Sequence, residues 1–322
     1  MSKVVRTPPP APVGLSEEAQ QVLNVMSEFA GVSESPKHGD DPQEWENWSA
    51  ACNDMIVMVL GARVPADAPI VQTEFELDGV RTNVFTPESV EKDASAPLYI
   101  DIHGGGLVNG AGEACVALTK GGAVERDMVT WAPDYRMPPH HPYPAALDDL
   151  MAVYLRALGE RDPSDIFVGG GSAGGNLAAA LLLRAKDEGL AMPAALVLLT
   201  PEVDLTESGD SFQTNLGIDG VLGLLMESNL LYADGHDLSH PYLSPLFGDL
   251  RGFPPTYLQT GTRDLFLSNT VRMHRSLRNA GVEAELHVGD AMPHGGFGGT
   301  TPEDCELAEE QDRFIARHRR TT

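Results

Sequence analysis

Ile166-Phe167-Val168-Gly169-Gly170-Gly171-Ser172-Ala173-Gly174-Gly175-Asn176 is the stretch on which the fold turns. A short apolar run leads into it and an alanine- and leucine-rich helical stretch leaves it. A serine is thus held between glycines where a strand turns sharply into a helix. A side chain at such an elbow cannot fold back into the core, so its hydroxyl stands exposed at the C-terminal edge of a sheet. The glycines are needed because strand and helix approach too closely for side chains on either flank. Ser172 is the candidate nucleophile, and acyl transfer is the chemistry it would serve.

Working outward, the segments on both sides alternate between strand and helix patterns. Upstream, 97–102 reads as a strand, 113–125 as a helix, 128–132 as a strand and 144–158 as a helix. Downstream of the elbow helix, 173–186, come strands at 194–199, 255–259 and 282–288, with helices at 267–280 and 302–319. This alternation predicts a mostly parallel sheet covered by helices on both faces. Two alternating runs, 71–77 and 80–85, flank Asp78-Gly79 and predict a hairpin at an antiparallel edge. Helical spacing at 16–30 and 42–60 predicts two helices ahead of any strand, after a proline-rich start that reads as disordered. Segment 203–244 breaks the alternation and reads as an insertion over the C-terminal edge of the sheet. Expected are N-terminal helices over 1–65 and a catalytic domain over 66–322.

Partners for Ser172 are sought at other strand ends. His103-Gly104-Gly105-Gly106 directly follows the strand ending at Ile102. A glycine run there lets backbone N–H groups point into a cleft, so Gly104 and Gly105, with Ala173 after the serine, are the candidate oxyanion donors. His294, in Met292-Pro293-His294-Gly295-Gly296-Phe297 after the last strand, is the candidate general base. His287 falls inside that strand and is read as a strand residue. Asp264, in Gly261-Thr262-Arg263-Asp264-Leu265, can accept from the second ring nitrogen of His294; Asp290 is its competitor. The order Ser172, Asp264, His294 is that of a nucleophile, acid and base on an α/β-hydrolase sheet. Leu107, the stretch 222–225 and Phe297 are candidates for the substrate pocket.

Composition narrows the classes. With 42% hydrophobic and 21% charged residues among 322, a sizeable core can be buried. A formal net charge of −25 argues against nucleic acid or an anionic membrane surface as partner. Cys52, Cys115 and Cys305 are odd in number and scattered, which fits reduced thiols in a cytoplasm rather than a disulfide framework. Met1–Val13 lacks the apolar run of a signal peptide, and no stretch has the length of a spanning helix. A soluble, cytoplasmic protein is expected.

With these motifs in hand, the chain resembles the bacterial hormone-sensitive-lipase-like esterases, family IV of the α/β-hydrolases, from about residue 97 to 297. The likeness rests on His103-Gly104-Gly105-Gly106, Asp134-Tyr135-Arg136, His141-Pro142-Tyr143-Pro144-Ala145-Ala146-Leu147-Asp148-Asp149, the elbow, Pro201-Glu202-Val203-Asp204-Leu205, Ser244-Pro245-Leu246 and Gly252-Phe253-Pro254-Pro255. It implies a cap made of the N-terminal helices and the 203–244 insertion. It also implies hydrolysis of neutral esters of short to medium acyl chain, or of lactones, without a cofactor, and frequent homodimers paired through the last strand. Three positions depart from the pattern. Gly171 stands where the family usually has aspartate or threonine, His140 where it commonly has glutamate, and two glycines follow His294 where one is usual. Asp148 and Asp149 read as helix surface and loop bracing.

Other readings make distinct demands. Gly169-x-Gly171-x-x-Gly174 also satisfies the dinucleotide-binding pattern of an NAD(P)-dependent oxidoreductase. That fingerprint normally opens the first strand–helix unit, and here two such units precede it. A non-catalytic small-molecule receptor on the same fold would lack the histidine. His236 and His240 are four apart, but without a third ligand or a base they do not make a metal site.

Overall fold

The computed structural model of the chain describes residues 7–29, 35–61, 63–65, 67–90, 96–126 and 128–320. Among them are helices α1 (Glu17–Phe29) and α2 (Pro42–Leu60), then strands β1 (Ile70–Leu77), β2 (Val80–Pro87) and β3 (Leu98–Ile102). Helix α3 (Glu113–Glu125), β4 (Val129–Pro133), α4 (Ala145–Glu160), β5 (Ile166–Gly171) and α5 (Ala173–Asp187) follow. The chain continues through β6 (Ala195–Leu199), α6 (Ser211–Thr214), α7 (Met226–Ala233), β7 (Thr256–Gly261), α8 (Leu267–Asn279), β8 (Ala284–Gly289) and α9 (Pro302–His318). The expected alternation holds throughout, and the last residue of the first expected helix, Ala30, lies outside the described residues.

The strands form one sheet in the order β1-β2-β4-β3-β5-β6-β7-β8. Strand β2 runs antiparallel to β1 and β4, and every pairing from β4 to β8 is parallel. Asp78 and Gly79 have φ of 51° and 84°, the two left-handed residues that a tight hairpin with the right twist requires. The order puts β5, and with it the serine, at the centre of the sheet, where both faces are covered.

Helix α5 explains why the centre is rigid. Twelve of its residues are buried, on every side of the helix, because alanine and leucine fill its whole circumference. Leu177, Leu181 and Leu182 are fully inaccessible, and truncating one such leucine costs about 2–5 kcal/mol. The helix stops at Gly189 (φ 74°), whose left-handed turn lets Leu190 N–H bond back to the carbonyl of Ala185 at 2.9 Å. Helix α9 starts on a capping box between Thr301 and Asp304, with Pro302 in its first turn.

The proline-rich start, which shows no periodic pattern, is nevertheless docked. Ala11 and Leu15 pack with Ala19 and Leu23 of α1 against Ala291, Met292 and Phe297. The carbonyl of Pro10 accepts from Arg263, and the carboxylate of Glu303 accepts from both the N–H and the hydroxyl of Ser16. Polyproline geometry carries no helical or strand signature, so contacts of this kind are invisible to periodicity.

Candidate active site

Ser172 stands between β5 and α5 at φ 57°, ψ −124°, a conformation that non-glycine residues rarely adopt. Backbone bonds hold it there. Its N–H donates to Leu199 O at 2.9 Å, and its carbonyl accepts from Gly175, Asn176 and Glu202 N–H at 3.0, 3.3 and 3.1 Å. The neighbouring glycines answer to close approach. A Cβ on Gly169 would meet the Tyr99 hydroxyl at 2.0 Å, one on Gly170 the carbonyl of Ile102 at 2.4 Å, and one on Gly174 that same carbonyl at 1.9 Å. Packing of β5 and α5 on β3 thus accounts for the glycines that mimic a nucleotide loop. Gly171 alone has room, with its nearest neighbour at 3.7 Å.

The loop after β3 lies against this elbow. A side chain on Gly104 would sit 2.9 Å from Gly171 O and 3.1 Å from the Cβ of Ser172. Gly105, at φ 125°, leaves no space either, since a Cβ would meet Asn109 O at 2.1 Å. Among the described residues, the N–H groups of Gly104, Gly105 and Ala173 donate to no protein acceptor. The loop is braced from below. Nδ1–H of His103 donates to Gly104 O at 2.8 Å, its ring stacks on Tyr135 at 4.1 Å, and the Tyr135 hydroxyl donates to His103 O at 2.8 Å. Burial holds the His103 pKa below the ordinary value, against the opposing Gly104 carbonyl and the charges of Asp134 and Asp101. Helix α2 braces the loop from above, where Asn53 Oδ1 accepts from Gly110 N–H at 2.7 Å and Ser49 donates to Val108 O at 2.9 Å.

Asp264 and His294 come together from the loops after β7 and β8. Nδ1 of His294 is 3.0 Å from Oδ1 of Asp264, with the ring 8% accessible and the carboxylate fully buried. Asp264 also accepts from the Thr260 hydroxyl at 2.6 Å and from Phe266 N–H at 2.9 Å. The ring of Phe266 meets the imidazole edge-on at 5.0 Å. Burial alone would lower the His294 pKa, but the charge and hydrogen bond of Asp264, with a further contribution from Asp219, outweigh it and raise the pKa. The two loops interlock: Arg263 N–H donates to Met292 O at 3.1 Å and Ala291 N–H to the Thr262 hydroxyl at 2.7 Å. Both glycines after His294 take left-handed φ, 73° and 88°, and Asp304 of α9 accepts from Phe297 and Gly299 N–H. The second glycine is needed because a Cβ on Gly296 would meet the Asp304 carboxylate at 2.7 Å.

Other readings fall as follows. Asp290 does not pair with His294; its charge acts on Arg263. His287 stacks on Tyr257 within the sheet. Asp149 is buried and grips the Arg136 guanidinium and backbone N–H, while Asp148 pairs with Arg184 at the surface. His140 meets an acid after all, since its ring pairs with Glu46 of α2. Leu107 and Phe297 are each 1% accessible, the first in the main core at φ 65° and the second beneath α1. Leu222 and Leu225 pack beside Phe212, Leu265 and Phe266, and Leu225 lies over Gly106, whereas Val221 and Leu224 face outward.

Some buried polar groups escape motif reading. Glu202, next to the elbow, is fully inaccessible, and burial pushes its pKa up to about 8 against the opposing hydrogen bond of Asn229. Asp219 and Asn215, in the segment between β6 and β7, both bond to the loop that carries Asp264. Among the described residues, His103, Cys115 and Asp134 form the one group of donors spaced closely enough for a metal. Asp134 is committed to Arg81 and to Gly112 N–H, and burial raises the Cys115 pKa strongly, so the group reads as bracing.

Known proteins share this fold. Residues 99–297 match the family model for the alpha/beta hydrolase fold. An esterase of Acinetobacter venetianus is 34% identical over 230 residues, which cover 70% of this chain and 74% of that protein. A carboxylesterase of Mycobacterium tuberculosis is 31% identical over 231 residues, 68% of this chain and 72% of that one. One crystallised esterase superposes with a TM-score of 0.86 at 35% identity, covering 97% of both chains. Another, described as an esterase of the bacterial hormone-sensitive lipase family, superposes at 0.79 with 29% identity, covering 94% of this chain and 98% of that one.

Proposed function

The chain belongs to the α/β-hydrolase fold family, with the hormone-sensitive-lipase-like esterases, and as a carboxylic ester hydrolase we propose that it works through an acyl-enzyme on Ser172. The hydroxyl of Ser172 attacks the ester carbonyl while His294 takes its proton and then passes it to the leaving alcohol. Asp264 holds the imidazole by Nδ1, so that Nε2 carries the lone pair in the resting state and Nδ1–H faces the carboxylate. The N–H groups of Gly104, Gly105 and Ala173 receive the developing oxyanion, a contribution of about 3–4 kcal/mol for one such donor in another enzyme. Water activated by His294 then releases the acid.

The observation that carries this reading is the 3.0 Å pairing of His294 with a fully buried carboxylate, on the loops after β8 and β7, together with a serine held at φ 57° at the C-terminal end of β5. A receptor has no use for either. We further propose that α1, α2 and the 203–244 segment act as a cap, with Leu222 and Leu225 in the acyl pocket and Leu107 and Phe297 as its packed floor. The substrates are neutral short- to medium-chain esters or lactones, and the net charge of −25 disfavours anionic ones. Among the described residues no helix is long and apolar enough to cross a membrane.

Hydrolysis of p-nitrophenyl esters by wild type, Ser172→Ala and His294→Ala tests the scheme, alongside labelling by a fluorophosphonate. Both variants should lose nearly all turnover, and wild type alone should be labelled rapidly, because phosphonylation needs both the hydroxyl and its base. Substantial hydrolysis by Ser172→Ala sinks the acyl-enzyme. A chain-length series with one lactone defines the pocket.

A further inference from the structure

Asp219 belongs to none of the motifs above, yet it is 2% accessible and fully engaged. Its Oδ1 accepts from the N–H groups of Val221 and Leu222 at 2.9 and 3.3 Å, which fixes the turn of its own segment. Its Oδ2 accepts from the N–H of Leu265 at 2.8 Å, the residue after Asp264. Four positions earlier, Asn215 donates to the carbonyls of Thr262 and Asp264 at 3.1 and 2.8 Å. Two side chains of the inserted segment therefore hold the acid loop by its backbone on both sides of Asp264. The Asp264 carboxylate remains free for Thr260, Phe266 N–H and His294.

The same carboxylate is also an electrostatic neighbour of the pair. The charged groups acting on His294 are Asp264 and Asp219; Phe266 is uncharged, and Arg263 is directed to Pro10 O and subject to Asp290. Burial raises the Asp219 pKa, His294 lowers it and Asp264 raises it again, so the three groups share one charge balance. Three N–H donors favour the ionised form of a carboxylate in such a place.

We propose that Asp219 is a positioning residue of the reaction: it locks the acid loop to the inserted segment and adds a second negative charge that stabilises the imidazolium of His294. This rests on the reading of Ser172, Asp264 and His294 as the catalytic set. The inserted segment that covers the site thereby contributes to proton transfer as well as to substrate fit. A displaced segment carries off a bond and a charge together.

Asp219→Asn and Asn215→Ala separate the two effects, since the first removes the charge and the second only a strap. Asp219→Asn should lose up to about 10²-fold in kcat/KM on p-nitrophenyl acetate. Its His294 pKa should fall by at least about half a unit. Asn215→Ala should lower kcat without moving that pKa. The pKa is read from the acid limb of kcat/KM and, independently of turnover, from the His294 Cε1–H resonance. If Asp219→Asn does not fold, Asp219→Ser fits the same space and carries the same expectation. A folded charge-removing variant whose His294 resonance titrates as in wild type overturns the proposal. If Ser172 were not the nucleophile, the turnover arm would fail while the resonance still shifted, so the two failures are distinguishable.

Discussion

Nδ1 of His294 lies 3.0 Å from Oδ1 of Asp264, while the second oxygen of that carboxylate is taken by the Thr260 hydroxyl at 2.6 Å. The carboxylate cannot rotate without giving up Thr260, so the imidazole has one orientation. Asp264→Asn keeps the shape and presents an amide that stabilises the wrong tautomer. A fall in kcat of about 10³–10⁴-fold with KM nearly kept is expected, as for the equivalent change in another triad. Steady-state kinetics on a p-nitrophenyl ester checks it, and a loss below tenfold would show that His294 does not depend on Asp264.

The pH profile follows from the sign of the His294 shift. The base must be neutral to act, and its pKa is raised. The acid limb of kcat/KM should therefore have its midpoint above the free imidazole value of about 6.5. The linked stability runs the other way. A raised folded-state pKa stabilises the fold fully below the unfolded value and loses that contribution as pH climbs through the folded one. An acid limb centred below 6.5 contradicts the electrostatic account.

Gly171 and Gly174 should respond oppositely to the same change. At Gly171 a methyl group meets nothing closer than 3.7 Å and φ is not left-handed, so Gly171→Ala should be neutral or stabilising by up to about 1 kcal/mol. At Gly174 the added carbon would overlap Ile102 O at 1.9 Å, so Gly174→Ala should abolish folding or activity. Urea unfolding of both variants decides it.

Asn53 ties a helix far upstream to the proposed oxyanion loop through Gly110 N–H. Asn53→Ala leaves that N–H unpaired, at a cost of about 1–3 kcal/mol. Most of the loss should appear in kcat, because the loop is displaced where charge develops. An unchanged kcat with normal stability would show that α2 does not support the loop.

Glu202 is fully buried, and burial pushes its pKa up to about 8. The folded state holds this proton where the unfolded chain has released it, so stability falls as pH rises from the free carboxyl range to about 8. Glu202→Gln removes that burden. Its melting temperature relative to wild type should improve between pH 5 and pH 9, and a constant difference would refute the assignment.

Much of this was legible in the residue pattern, for stated reasons. Helices α2 and α3 begin and end where their periodicity does, and the Asp78-Gly79 turn lies between its two alternating runs. Ser172, Asp264 and His294 could be located because strand ends are readable and the catalytic edge is where strands end. Asp219 and Asn215 were not legible. They lie in a segment without period, and Asp219 meets Leu265 across 46 residues of sequence. Leu107 shows the converse limit, since an apolar residue in a glycine loop gives no sign in the sequence of the positive φ at which it packs into the core. The docking of Pro10 is a third case, with contacts made by carbonyls that any residue could supply.

The clasp between Ser16 and Glu303 spans 287 residues, and α1 packs on Ala291, Met292 and Phe297. On a ribosome, α1 thus emerges long before the loop after β8 on which its apolar side packs. The sheet up to β6 can assemble during that interval, with domain cores forming as they are made. A chain released early would hold its serine elbow and oxyanion loop but would lack both the base and the ground on which α1 lies. In the proposed scheme, hydrolysis therefore waits for the loop after β8, which brings the base and the surface under α1 at one stroke.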